Sequence, residues 1–132
     1  MTAANSLLQA IFARLSADAA LSALVGAGGF YDRLLDRTAM PYLVLGALDS
    51  RDYSTASEAG EEHFLTLAIW SDGQGQKQAQ TIAARVRALL HDQPLVLDGA
   101  VLVSLLHRNT RSRREPKSRC HVAEMRFRAV TE

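Results

Sequence analysis

The chain has 132 residues, 48% hydrophobic and 22% charged, with a formal net charge of +1. That balance excludes a mostly disordered chain and suits one domain, residues 1–132, with apolar material for one modest core. No apolar run approaches the ~20 residues that span a bilayer. The first residues lack the basic and apolar regions of a secretion signal. A single cysteine, Cys120, has no internal disulfide partner, which suits a reducing cytoplasm.

The small net charge conceals a split. Residues 1–72 hold four basic and nine acidic side chains, residues 73–132 eleven basic and five acidic. Oppositely charged halves favour head-to-tail association of copies, unless the fold intermixes them on its surface.

Taken in order, Asn5 or Ser6 is placed to cap a first helix with Leu7, Leu8, Ile11, Phe12 and Leu15 on its apolar stripe. Asp18 caps a second, short helix through Leu21 and Leu24, and the glycines of 26–29 end it. Those glycines lack the Gly-Lys-Ser/Thr ending and preceding strand of a phosphate-binding loop. Phe30-Tyr31-Asp32 reads as a short strand and 33–39 as a polar connection. After Met40-Pro41, Tyr42-Leu-Val-Leu-Gly46 is a strand, since proline is tolerated at a strand's start. Residues 50–53 continue it irregularly. Residues 54–62 are polar and acidic and read as an exposed loop displaying Glu58, Glu61 and Glu62.

The centre of the chain is a strand over 63–70 followed by a helix from Gln76. Leu65, Leu67 and Ile69 share one face of the strand; Phe64, Thr66, Ala68 and Trp70 share the other. Ala79, Ile82, Ala83, Val86, Leu89 and Leu90 then follow helical spacing, so this helix lies across the Leu65/Leu67/Ile69 face. Gln93-Pro94 stops it. Asp98-Gly99, set between apolar runs at 95–97 and 100–106, reads as a hairpin turn. Residues 107–118 carry Arg108, Arg111, Arg113, Arg114 and Lys117 and read as a projecting basic loop. The last strand places His121, Ala123, Met125, Phe127 and Ala129 on one face and Val122, Glu124, Arg126 and Arg128 on the other. The order gives an α+β fold: one mostly antiparallel, mixed sheet with helices packed on one face.

Site chemistry is sparse. The four histidines have neither helical nor Cys-x-x-Cys spacing to a second ligand, so no metal site is expected. Glu61-Glu62-His63 lacks the second histidine of a metalloprotease helix, and no serine sits in a nucleophile elbow. Asp72 reads as a turn cap and Cys120 as a small half-buried strand residue. No catalytic, cofactor-binding or metal-binding residue is assigned, and no enzyme activity is expected. The basic loop offers charge for DNA phosphates, though without interleaved aromatics for base stacking. Its arginines also suit carboxylates, such as those of the acidic loop on a neighbouring copy.

The chain resembles the short tail-completion proteins of siphophages, related prophages and gene transfer agents. The match runs through Leu8-Gln-Ala-Ile-Phe-Ala-Arg-Leu-Ser-Ala-Asp18 with Leu21 and Leu24-Val25, then Phe30-Tyr31-Asp32, Met40-Pro41-Tyr42-Leu-Val-Leu-Gly46 and His63-Phe-Leu-Thr-Leu-Ala-Ile-Trp70-Ser71. It continues through Ile82-Ala-Ala-Arg-Val-Arg87 to Met125-Arg-Phe-Arg-Ala-Val130. The closing residues 126–132 look like versions from alphaproteobacterial gene transfer agents. The resemblance implies a structural protein without catalytic residues: a hexameric ring that ends tail-tube polymerisation and joins the tail to the head connector. DNA then passes through the lumen as cargo. Tail-tube and connector proteins are the implied partners, no cofactor or membrane is involved, and assembly takes place in the host cytoplasm. The acidic set (Glu58, Glu61, Glu62) and the basic set (Arg108, Arg111, Arg113, Arg114, Lys117) are expected to make subunit or tail-protein contacts. The rival expectation is a small DNA-binding module using the basic loop.

Overall fold

A computed structural model describes residues 2–25, 30–31, 40–72, 76–117 and 120–132. The order is α1 (Ala3–Ala17), α2 (Ala19–Val25), β1 (Phe30–Tyr31), β2 (Tyr42–Asp52), β3 (Glu61–Ser71), α3 (Gln76–Leu90), β4 (Leu102–Arg114) and β5 (His121–Thr131). The strands form one sheet in the order β1-β2-β3-β5-β4. β1 runs parallel to β2 and every other neighbour pair is antiparallel. The α+β fold with a mixed sheet is thus as the sequence pattern implies.

The apolar stripe of α3 is buried as its spacing requires, with Ile82, Val86 and Leu90 fully enclosed. It meets Leu65, Leu67 and Ile69 of β3 and Ala123, Met125 and Phe127 of β5 in one core, which Leu7, Ile11, Leu15 and Leu21 of α1 and α2 complete. Removing such side chains from water is the main stabilising contribution.

Local details differ from the sequence reading at several points. The cap of α1 is Thr2, whose hydroxyl accepts the N–H of Asn5 at 3.1 Å. Ser6 is instead buried inside the helix and donates to the carbonyl of Asp98 at 2.6 Å. Asp18 does cap α2, its Oδ2 accepting the N–H of Leu21 at 2.9 Å. The irregularity expected at 50–53 lies earlier, at a bulge between Leu45 and Ala47, and β2 runs on regularly to Asp52. The hairpin at Asp98-Gly99 shrinks to a single bridge between Val96 and Val101, with Gly99 at φ +76°. Cys120 is buried but precedes β5 rather than lying in it. The glycine cluster 26–29, the connection 33–39 and the glycines after Asp72 lie outside the described residues.

The largest correction concerns the two charged stretches. Glu61 and Glu62 belong to β3, so the acidic loop is only 53–60. The arginines Arg108, Arg111, Arg113 and Arg114 are in β4, leaving Lys117 in the turn beyond it. Polar side chains argued for a loop, but β4 is an edge strand whose far half keeps its arginines exposed while Gln80 of α3 donates to the Ser112 hydroxyl. Its backbone pairs with β5 as far as Arg114 against His121, and that ladder needs no apolar face.

Candidate assembly surface

The helices cover one face of the sheet, and among the described residues the other face carries no helix. Cross-strand register assigns its residues in rows. Tyr42, Trp70, Val122 and Arg113 form the first row, and Val44, Ala68, Glu124 and Arg111 the second. Ala47, Thr66, Arg126 and Asn109 follow, then Asp49, Phe64, Arg128 and Leu106, then Arg51, Glu62, Val130 and Ser104. The first end is a small apolar cluster of Tyr42, Val44, Ala68 and Val122, with Tyr42 and Trp70 stacked at 6.4 Å between ring centroids. The sequence assigned β3 and β5 residues to this face correctly.

Two bulges bend the sheet at one level. Gly46 is the extra residue of β2 and Arg108 that of β4, and both lie within one residue of the Thr66–Arg126 pair. Extra residues on facing edges curve a sheet. The result is a hollow of about 660 Å³ lined by Val44, Thr66, Trp70, Arg113, Glu124 and Arg126 among others. Arg126 is exposed there and makes no ion pair among the described residues. No sequence motif signals this hollow, because strand register and two bulges create it.

The eight residues singled out from the sequence separate into two groups. Glu62 is already committed: its Oε2 accepts from Arg128 Nε at 2.6 Å, and the Arg128 guanidinium stands 5.5 Å from the Tyr53 ring centroid. Arg113 is committed too, bonding Glu115 at 3.0 Å and Glu124 at 3.2 Å. Hydrogen bonding to Arg113 holds the Glu115 carboxyl below its ordinary range. Arg108, Arg111, Arg114 and Lys117 are exposed and form no ion pair among the described residues. Glu61 lies 4.0 Å from the ring of buried His63.

Glu58 occupies a braced loop. Thr55 N–H donates to the Glu58 carbonyl at 2.8 Å, Glu58 N–H to Thr55 Oγ1 at 3.1 Å, and Gly60 N–H to Ser54 Oγ at 3.1 Å. A Cβ on Gly60 would stand 3.2 Å from two backbone carbonyl oxygens, of Tyr53 and Thr131, so this close approach favours glycine. The hydroxyl and N–H groups of Ser54 on Asp52 hold that carboxyl below its ordinary range.

The two charged groups are far apart. The 53–60 turn lies at the Thr131 end of β5 and the turn at Pro116-Lys117 at the His121 end. Eleven residues of strand separate them by about 34 Å. One end of the sheet therefore carries Asp52, Glu58 and Glu61, the other Arg111, Arg114 and Lys117.

Among the described residues no cluster of three or more His, Cys, Asp or Glu side chains is arranged to hold a metal ion, and no single helix is long and apolar enough to cross a membrane. The family model for tail completion protein gp17 matches residues 9–132. Among solved structures, a chain of the virion of a native gene transfer agent particle is similar, with 34% identity and a TM-score of 0.89. That similarity covers 98% of this chain and 96% of the other. No match was found among curated proteins.

Proposed function

The chain belongs to the family of tail completion protein gp17, with a structural role in a phage-type tail, and on that premise we propose that it closes the tail tube as a ring of six copies. The ring ends tube polymerisation and joins the tail to the head connector, and DNA passes through its lumen as cargo. It assembles in the host cytoplasm and remains in the phage-like particle. The similarity to a gene transfer agent virion chain over 98% of the sequence supports a place in such a particle.

The observation that carries the joining role is the charge polarity of the sheet. Its acidic end and basic end, about 34 Å apart, give one protein two chemically different docking ends. Copies standing level in a ring present these ends to different neighbours, tube on one side and connector on the other. The two charged sets are then contacts to neighbouring copies or to other tail proteins. Of the eight residues, Glu58, Glu61, Arg108, Arg111, Arg114 and Lys117 remain available, while Glu62 and Arg113 support the fold.

The DNA-binding alternative gains little from the geometry, because two carboxylates neutralise Arg113 and the basic stretch is a strand rather than a projecting arm. The test is charge reversal at one end at a time, Arg114→Glu with Lys117→Glu against Glu58→Lys with Glu61→Lys. Each pair is expected to leave the fold intact, to disrupt one junction, and to yield separate heads and tails or overlong tubes in electron micrographs. Normal particles assembled without the protein would overturn the reading.

A further inference from the structure

Two backbone edges of the sheet are unpaired among the described residues. The first half of β4 is covered on its outer side. The Leu105 carbonyl accepts the N–H of Asp92 at 2.7 Å, and His91 Nδ1 accepts the N–H of His107 at 2.9 Å. Beyond the bulge at Arg108 this cover ends. Glu115 N–H points inward to the Cys120 carbonyl at 2.7 Å. Antiparallel strands alternate the direction of their backbone groups, so Thr110, Ser112 and Arg114 aim theirs outward. At the opposite edge, among the described residues, β1 covers β2 at Leu43 and Val44. Tyr53 N–H points inward to the Gly60 carbonyl at 2.9 Å, so Leu48, Ser50 and Asp52 aim theirs outward. Open edges of this kind are templates for pairing with another chain.

We propose that these edges join the copies: residues 110–114 of one copy pair antiparallel with residues 48–52 of the next. The inference rests on the ring reading above and specifies the contact that makes the ring. It draws support from the register. Ser50 stands level with His63 of β3, and Ser112, through Ala123 of β5, stands level with Ile69, six residues farther along. Seating Ser112 beside Ser50 of the next copy shifts neighbouring copies by those six residues, about 20 Å. Each copy contributes four strands, β2, β3, β5 and β4, about 19 Å across. Copies at one level in a ring therefore tilt their strands by about 45°, the upper end of the 35–45° range at which sheets close into barrels. Unstaggered copies would instead bring each free edge against one that β1 or the turn after α3 already covers.

On the open face this register sets Arg113, which Glu115 and Glu124 already hold, opposite Asp49, which already pairs with Arg51 at 2.8 Å, and sets Arg111 opposite Arg51; the backbone edges, not the charges, select it. The helices occupy the other face, so the open face with Arg126 turns to the inside of the closed barrel.

The test combines a cross-link with an edge block. Asp49→Cys with Arg113→Cys, in a Cys120→Ala background, places two thiols on opposite edges of one copy, where only a bond between copies is possible. Particles carrying this variant, oxidised and run without reductant, are expected to show a ladder of covalent multimers of this chain. Either single cysteine alone gives at most dimers. Ser112→Pro removes an outward N–H that β5 does not use. It is expected to melt like the wild type as a monomer yet to complete fewer than one tail in ten. Incorporation without cross-links, or cross-links to a different virion protein, overturns the joint, as does normal tail completion by Ser112→Pro. All three leave the tail role standing. Absence of the wild-type protein from tails overturns the tail role itself.

Discussion

Arg85 and Asp18, 67 residues apart in sequence, close a two-pronged bridge: Nε donates to Oδ2 at 2.8 Å and Nη2 to Oδ1 at 2.6 Å. The same Oδ2 caps α2 through the Leu21 N–H. One carboxylate thus starts a helix and fastens it to α3, the helix that lies on the sheet.

Hydrogen bonding to Arg85 lowers the Asp18 pKa to about 2, from an ordinary 3.8. A carboxyl lowered in the folded state stabilises fully above its unfolded pKa and loses that contribution as pH falls through the folded value. The bridge therefore contributes above about pH 4 and is lost between there and about pH 2. Asp18→Ala is expected to lower the melting temperature by about 5 °C at pH 7. The difference from wild type should shrink toward pH 2 in parallel calorimetric scans.

Buried His63 links three strands, its Nδ1 2.7 Å from Ser50 Oγ of β2 and its Nε2 3.0 Å from Thr131 Oγ1 of β5. Burial holds its pKa below the ordinary 6.5, and the neighbouring Glu61 carboxylate opposes that shift. The unfolded chain binds a proton that the native state refuses, so stability is complete above pH 6.5 and declines as pH falls below it. His63→Gln retains hydrogen-bonding groups without titrating. Its melting temperature is expected to change less between pH 7.5 and 5 than that of the wild type, as circular dichroism will report.

Phe127 of β5 and Ile82 of α3 belong to one core, both essentially without exposed surface. Truncation leaves a cavity that a close-packed interior refills only in part. Phe127→Ala is expected to cost about 4 kcal/mol and Ile82→Ala about 3 kcal/mol in urea unfolding. Arg87→Ala, on the exposed face of the same helix, is expected to stay within about 0.5 kcal/mol.

Glu62 and Arg128 pair across β3 and β5 with side chains 18% and 21% exposed. The half-buried, hydrogen-bonded pair is expected to show a coupling energy of about 1 kcal/mol in a Glu62→Gln/Arg128→Met double-mutant cycle. Ring or tail assembly is expected to be unchanged by Glu62→Gln at permissive temperature, since this carboxylate pairs β3 with β5 inside one copy rather than making a partner contact. Loss of assembly with an unaltered melting temperature would reassign Glu62 to an interface.

The sequence determined the elements whose side chains carry a period. Ile82, Val86 and Leu90 specify the buried stripe of α3, and the alternation from Leu65 to Trp70 and from Ala123 to Arg128 sorts two strands into a core face and an open face. Burial free energy acts on the same spacing that can be counted along the chain, so these features are legible without coordinates. The acidic and basic stretches were legible as compositions too. Their secondary structure was not: in β4 the ladder to β5 outweighs side chains that signal a loop.

Tertiary structure alone decided which charges are spent and which edges are free. Glu62 meets Arg128 and Asp18 meets Arg85 across 66 and 67 residues, and His63 finds Thr131 across 68. Such partners are fixed by strand register and helix docking, which no local pattern encodes. The same holds for the paired bulges at Gly46 and Arg108 and for the placement of the acidic and basic turns at opposite ends of β5. Local spacing sets which face of an element is apolar; the packing of whole elements sets which backbone and charge remain exposed for a partner.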